Sequence, residues 1–275
     1  MLKGADLTFG YGGTPVVRGV SLEVPANGFV GIIGPNGSGK TTLLRLLAGT
    51  RKPQQGTVVL DGAALASLTR SEIARRMAVV PQETHLAFEY SVLEVVLMGR
   101  YPHLGAFEIE GPRDVALARV ALQATGTLAL EARLFSTLSG GEKQRVIIAA
   151  ALAQISASER TAARPAILLL DEPTAALDLK YQLETASLLR SLHAAHALSV
   201  VVSTHDLNFA AALCQTLVML KDGQVLAAGS VDEVLTPARI RDLYDVDAEV
   251  TRHARTGHLT VVPIASASGP HEATE

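Results

Sequence analysis

The sequence predicts an α/β protein: a largely parallel sheet with an antiparallel β flank and an inserted helical subdomain. Three observations lead there. Short β-branched runs alternate with longer helical patterns along most of the 275 residues. Two of the runs, Phe29–Ile33 and Ile167–Leu170, are apolar throughout, as strands covered on both faces are. The stretch from about Glu83 to Arg145 holds no convincing strand and reads as helical.

In chain order, Ala5–Phe9 and Val16–Val24 alternate in polarity around Gly10, Gly12 and Gly13, with Gly28 following, which predicts the antiparallel flank. Phe29–Ile33 is a central strand, and Lys40–Ala48 an amphipathic helix. Thr57–Leu60 and Ala78–Val80 are strands, with a helix at Arg70–Arg76 before the second. The insert carries helices at Val92–Met98, Arg113–Thr125 and Gly140–Gln154. Beyond it come the strand Ile167–Leu170, a helix at Leu179–His196 and the strand Ser199–Ser203. A helix at Leu207–Cys214 and the strands Thr216–Leu220 and Gln224–Ala228 follow. Residues 2–264 read as one domain, with a core of 2–82 and 146–264 and the helical subdomain at about 83–145. The small, polar stretch 265–275, broken by Gly-Pro, reads as a disordered tail.

Composition excludes several classes. Apolar residues make up 48% of the chain, ample for a packed core. The net charge of −3, from 24 basic and 27 acidic residues, leaves no general basic footprint for nucleic acid. One cysteine, Cys214, cannot form an internal disulfide, which fits a reducing compartment. The first residues meet Asp6 and Gly10 too early for a signal-peptide core. The longest apolar run, Val146 to Ala153, is far short of the ~18 residues of a membrane span.

Gly34-Pro35-Asn36-Gly37-Ser38-Gly39-Lys40-Thr41 follows the apolar strand Phe29–Ile33 and opens a helix at Thr42. Glycines at those positions let successive backbone N–H groups turn toward phosphate oxygens, and the helix N-terminus adds partial positive charge. Lys40 is the expected contact to the β- and γ-phosphates and Thr41 to Mg²⁺, making this a P-loop NTPase core. Asp171 and Glu172 close the run Ile167–Leu170, at the sheet edge where such a loop sits. Asp171 is expected to support Mg²⁺. Glu172, pointing the other way along the pleat, is expected to polarise an attacking water. Leu138-Ser139-Gly140-Gly141-Glu142 then opens another helix, a second phosphate-binding start in a chain whose first already serves a nucleotide. A second cradle makes sense if it serves the ATP of another chain, which argues for a dimer.

With this pentapeptide some thirty residues before the acidic strand, the sequence resembles the ATP-binding cassette (ABC) family over about residues 2–235. The resemblance implies ATP and Mg²⁺ as cofactors, and ATP hydrolysis by a homodimer with two nucleotides at its interface. It implies an adenine-stacking aromatic at Tyr11 and a Mg²⁺- and γ-phosphate-sensing glutamine at Gln82. It implies a switch histidine at His205 that contacts the γ-phosphate, and an inter-subunit loop ending in Asp178. Thr42 belongs to its ATP site. Ser139, Gly140, Gly141 and Glu142 face the partner's ATP, and Mg²⁺ is assigned to Thr41, Gln82 and Asp171. Ala175 stands where the family usually has serine, so one hydroxyl of the crossing loop is missing.

The stretch Gly99-Arg100-Tyr101-Pro102-His103 is similar to importer ATPases for iron-siderophores, cobalamin and haem. The extended link Gln154 to Arg164 and the run Asp245 to His253 are similar to hemin-importer ATPases in particular. The implied partners are an integral-membrane permease dimer and a periplasmic substrate-binding protein, with no nucleic acid. The implied location is the cytoplasmic face of the bacterial inner membrane. No residue is assigned to haem, and His85, His103 and His253 are not read as ligands. Leu86, Phe88, Tyr90, Val92, Leu93, Val96 and Leu97 exceed what a small insert needs to bury and are expected to meet the permease. A siderophore or cobalamin importer, an exporter ATPase and a non-transport ABC ATPase remain as alternatives.

Overall fold

The computed structural model describes residues 1–84, 86–155, 165–175, 177–195 and 197–267. Its strands are β1 Leu2–Tyr11, β2 Thr14–Val24, β3 Phe29–Ile33, β4 Gln55–Leu60, β5 Ala63–Ala64, β6 Met77–Val80, β7 Ala166–Asp171, β8 Leu198–Thr204, β9 Thr216–Lys221, β10 Gln224–Ser230, β11 Val246–Arg252 and β12 Leu259–Ser266. Its α-helices are α1 Lys40–Leu47, α2 Arg70–Arg76, α3 Val92–Leu97, α4 Pro112–Ala124, α5 Gly140–Ile155, α6 Leu179–Ala195, α7 Leu207–Leu213, α8 Val231–Val234 and α9 Pro237–Tyr244. No described helix is long and apolar enough to cross a membrane.

The strands form three sheets. Six run in the order β10-β9-β3-β8-β7-β6, all parallel except β10, which pairs antiparallel with β9 at the edge. The expected flank is an antiparallel sheet, β2-β1-β4-β5. The apolar runs of the central strands divide by parity. Phe29, Ile33, Leu168, Leu170, Val200 and Val202 pack into one apolar cluster with α3 to α7. Val30, Ile32, Ile167, Leu169 and Val201 pack into the other, with α1 and the antiparallel sheet. Side chains two apart share a face, so a strand with cover on both sides needs apolar residues at every position.

Two expectations are corrected here. The tail expected from residue 265 starts later: the hairpin β11–β12 that follows α9 runs to Ser266, so Ala265 and Ser266 are strand residues. In β11 the apolar positions Val246, Ala248 and Val250 alternate with polar ones, whereas β12 buries only Val261 and is exposed from Val262 onward, which leaves little periodic signal. The predicted permease surface also shrinks. Val92 and Val96 are fully buried, because α3 turns those positions against the rest of the helical cluster. Leu86, Tyr90, Leu93 and Leu97 are partly buried on the same cluster. Phe88 stands out at 74% exposure and is the one member left facing outward. The link Gln154 to Arg164 falls outside the described residues from 156 onward, as do His85, Ala176 and residues 268–275.

The Gly99–His103 stretch acts as a clamp on the end of α5. A Cβ on Gly99 would run into the Ala150 carbonyl. Arg100 is buried, donating to Asp114 Oδ1 at 3.0 Å and to the Ala153 carbonyl at 2.6 Å. His103 Nε2 lies 2.7 Å from the Gln154 carbonyl, and burial holds its imidazole below the ordinary range. The last turn of a helix leaves carbonyls without partners, and this stretch supplies them. The Pro102 carbonyl in turn accepts from Ser71 and Arg75 of α2, while Gln154 donates to the Ala74 and Met77 carbonyls beside β6. Arg100→Ala leaves the carboxylate of Asp114 without this partner. Its expected cost is about 3 kcal/mol in urea unfolding, and an unchanged midpoint would contradict the clamp.

Candidate functional site

Four adjacent parallel strands end on one edge of the sheet, in the order β3, β8, β7, β6. Parallel strands deliver their last residues to the same side, where ligands bind in open α/β sheets. Here β3 delivers the loop 34–39, β8 delivers His205, β7 delivers Asp171 and Glu172, and β6 delivers Gln82 through Pro81.

The loop is shaped by two glycines. A Cβ on Gly34 would run into the Leu220 carbonyl, so the loop lies directly on the end of β9. Gly39 has φ 103 and caps α1, a conformation that side chains strain to adopt. The first turn of α1 contains no acidic residue, so its partial positive charge has no protein carboxylate there. Ser38 is buried, and its hydroxyl lacks a hydrogen-bond partner. Lys40 is buried too, its ammonium donating to the Gly34 and Pro35 carbonyls at 2.9 and 3.1 Å and lying 3.1 Å from Glu172 Oε1. An orphaned hydroxyl, a cation and an unopposed helix start converge on one loop, and that is a fit for polyphosphate.

The acidic pair is held by a residue the motifs did not single out. The β7–β8 register sets Asp171 opposite Ser203. The Ser203 hydroxyl donates to Asp171 Oδ1 at 2.6 Å and accepts from the Glu172 backbone N–H at 3.1 Å. Thr41 donates to the same Asp171 oxygen at 3.1 Å. A threonine hydroxyl and one carboxylate are hard oxygen donors, a set that suits Mg²⁺ held jointly with substrate phosphates rather than in an all-protein cage. Among the described residues there is no cluster of three or more His, Cys, Asp or Glu fit to hold a metal ion. Gln82 lines a cleft of about 260 Å³ with Thr41 and Asp171.

Glu172 departs from expectation in its geometry. Its φ of 45° breaks the strand, so it is a left-handed turn and not the pleat that turns its carboxylate from Thr41. Oε1 faces Lys40 and Oε2 lies 3.1 Å from His205 Nδ1. The histidine ring is half exposed, and Asp206 behind it caps α7 by accepting from the Phe209 N–H. Tyr11, near the tip of the β1–β2 hairpin, is brought to α1. A hydrogen bond with the Thr42 side chain holds its phenol below the usual range, with Arg45 and Arg51 assisting. Its ring is 42% exposed, with Phe9 edge-on at 5.0 Å and the Arg51 guanidinium over it at 6.0 Å.

The second helix start is built as a capping box. Ser139 donates its N–H and its hydroxyl to Glu142 Oε2 at 2.8 and 2.9 Å, and the Glu142 N–H returns a bond to Ser139 Oγ. These bonds, the backbone one foremost, hold the Glu142 carboxyl below its usual range. A Cβ on Gly141 would run into the ring of Tyr181 on α6, so this glycine is required by packing within the chain. Asp178 accepts from the Tyr181 N–H at 3.0 Å and caps α6. Gly140 shares a cleft of about 140 Å³ with Gln82, Lys143, Glu172 and Ala175. None of residues 139–142 lines the cleft around Thr41 and Asp171.

Strand pairing, not local sequence, makes Ser203 a partner of Asp171. A hydroxyl closing an apolar strand next to His205 is the one signal it leaves in the sequence.

Residues 17–175 match the sequence profile of the family described as ABC transporter. A hemin import ATP-binding protein, HmuV, of Gloeobacter violaceus is 45% identical over 268 residues, which are 98% of this chain and 96% of that protein. A cobalamin import ATP-binding protein, BtuD, of Halobacterium salinarum is 41% identical, over 92% of this chain and 61% of its own length. Among solved structures, a chain of a metal-chelate type ABC transporter in an inward-facing conformation superposes with a TM-score of 0.81 at 29% identity, covering 96% of each chain. The dimeric ATP-binding cassette MJ0796 bound to ADP and Pi superposes at 0.69 with 30% identity, over 84% of this chain and 99% of that one.

Ser203→Ala removes the hydroxyl that holds the Asp171 carboxylate and the Glu172 backbone N–H. The expected result is a fall of about tenfold in kcat for nucleoside triphosphate hydrolysis, as loss of a hydrogen bond to a charged group predicts. KM should stay within about threefold, by steady-state phosphate release. An unaltered kcat would contradict the role of Ser203.

Proposed function

The chain belongs to the ABC transporter family, and from that membership we propose that two copies of it hydrolyse ATP to drive an importer whose cargo is hemin. The observation that carries the catalytic reading is Glu172, set between Lys40 and His205 at the end of β7.

The geometry supports a set of roles. The loop 34–39 with Lys40 binds the triphosphate, and Tyr11 offers its ring to the adenine. Thr41 and Asp171 would hold Mg²⁺, with Gln82 at the rim of the same cleft. When bound, the ion supplies positive charge to the β- and γ-phosphate oxygens. Glu172 accepts a proton from the attacking water, and its ion pair with Lys40 yields as the lysine turns to phosphate. His205 keeps hold of both Glu172 and the γ-phosphate side.

The second half of each site comes from the other copy. Ser139 and Gly141 are presented on a capped, rigid helix start, and Glu142 already satisfies the Ser139 backbone N–H. The cleft joining Gly140 to Gln82 and Glu172 gives closure a route from nucleotide to helical region. Beside it, Phe88, Leu86, Tyr90 and Phe135 line a groove of about 180 Å³. We assign that groove to the membrane permease, with Phe88 as its exposed anchor. The chain then sits at the inner membrane through this partner, on the cytoplasmic face, in a system that includes a substrate-binding protein. Hemin is supported by the Gloeobacter relative over nearly the full length of both chains. Cobalamin is the second reading, supported by the Halobacterium relative.

Glu172→Gln keeps the shape of the site and removes its base. ATP should still bind and still pair two chains, while hydrolysis falls by about a thousandfold or more, measured as phosphate release beside light scattering of the purified chain. Turnover near the native rate in that variant would remove Glu172 from its role.

A further inference from the structure

The helix α9 and the hairpin behind it are anchored on the catalytic edge. Ile240 and Leu243 of α9 are buried in the larger apolar cluster. The helix stops at Asp245, whose φ of 55° turns the chain back and whose carboxylate lies 3.7 Å from Lys221. The hairpin then folds over α7, where Asn208 grips Val261 in both directions. Its Nδ2 donates to the Val261 carbonyl at 3.2 Å, and its Oδ1 accepts from the Val261 N–H at 2.8 Å. A cleft of about 290 Å³ between them is lined by His205, Asp206, Asn208, Tyr244, Val246 and Val261, among others.

Tyr244, the last residue of α9, sits at the inner wall of that cleft. Its hydroxyl donates to the His205 carbonyl at 3.4 Å. Burial raises its pKa above the ordinary phenol value, and the carboxylates of Glu172 and Asp206 raise it further. The proton therefore stays on the oxygen across the working pH range, and the hydroxyl remains a donor.

We infer that Tyr244 is a positioning residue for hydrolysis, its hydroxyl tying the backbone of His205 to the end of α9. The proposal rests on the role given to His205 above. The reason is geometric. The imidazole of His205 is half exposed and bonded to Glu172 on one side, so its backbone needs fixing from elsewhere. The residues flanking it are fixed by Thr204 Oγ1, which accepts from the Asp206 N–H, and by the Asp206 cap on α7. Tyr244 adds a tie from an element that no phosphate-binding motif includes. It couples the C-terminal hairpin to the histidine that must stay aligned while the phosphate leaves.

The test is a double-mutant cycle on the full chain with ATP and Mg²⁺. Tyr244→Phe, which keeps the ring, should lower kcat about fivefold with KM and ADP affinity within about twofold. Backbone hydrogen exchange over 203–208 should accelerate, with the thermal midpoint within about 2 °C of the native chain. In the His205→Ala background, Tyr244→Phe should cost nothing further. An equal loss in both backgrounds, or an unchanged kcat beside an inactive His205→Ala, overturns the positioning role alone. Full turnover by His205→Ala overturns the reading of His205, and the proposal with it.

Discussion

The pairing of β7 with β8 is the constraint on which the catalytic edge depends. It sets Asp171 opposite Ser203 in the middle of a sheet covered on both faces. The Ser203 side chain is fully buried, and Asp171 is 7% exposed. A carboxylate in such a place is costly unless its oxygens are bonded. Ser203 and Thr41 supply those bonds, so the residues proposed to hold Mg²⁺ also make burial of Asp171 tolerable. Glu172 follows at once, where the strand breaks into a left-handed turn. A one-residue slip of β7 would send Asp171 to the other face and separate it from Thr41. The apolar alternation that fills both clusters therefore protects the site's geometry as well as its stability.

Much of this was legible in the sequence. The central strands Phe29–Ile33 and Ile167–Leu170 announce themselves by having no polar position, because both faces need apolar cover. The loop 34–41 is legible because phosphate binding demands glycine at fixed offsets from a lysine. Other features were not, for physical reasons. The C-terminal hairpin buries one thin face, so its periodicity is weak, and Val261 and Ala248 are its buried anchors. The insert seemed to carry an excess of apolar residues because periodicity cannot say how many helices share them. Val92 and Val96 turned out to serve the common core, leaving Phe88 exposed. Ser203 and Tyr244 act through contacts across 32 and 39 residues of chain, which no local window reports.

The same contrast explains Gly99 to His103. As a motif it suggests a kind of importer; as structure it closes the end of α5 and fastens it to α2 and, through Gln154, to β6. α5 begins at the capping box of Ser139 and Glu142. The helix is thereby fastened at both ends, by its capping box and by Arg100 and His103 at its last turn. Fastening at both ends supports the role proposed for this helix in closing on a second copy's nucleotide.

The central claim is that each chain holds half of a hydrolytic site, with Lys40, Thr41, Asp171, Glu172 and His205 on one side and Ser139 and Gly141 meeting them from a second copy. The direct measurement is a structure of the full chain with Mg²⁺ and a non-hydrolysable ATP analogue. The account predicts two chains in antiparallel apposition, with Ser139 Oγ and the Gly141 N–H of each bonded to the γ-phosphate on the other's Lys40. A nucleotide enclosed by Ser139 of its own chain, or bound in full by a single copy, would contradict it.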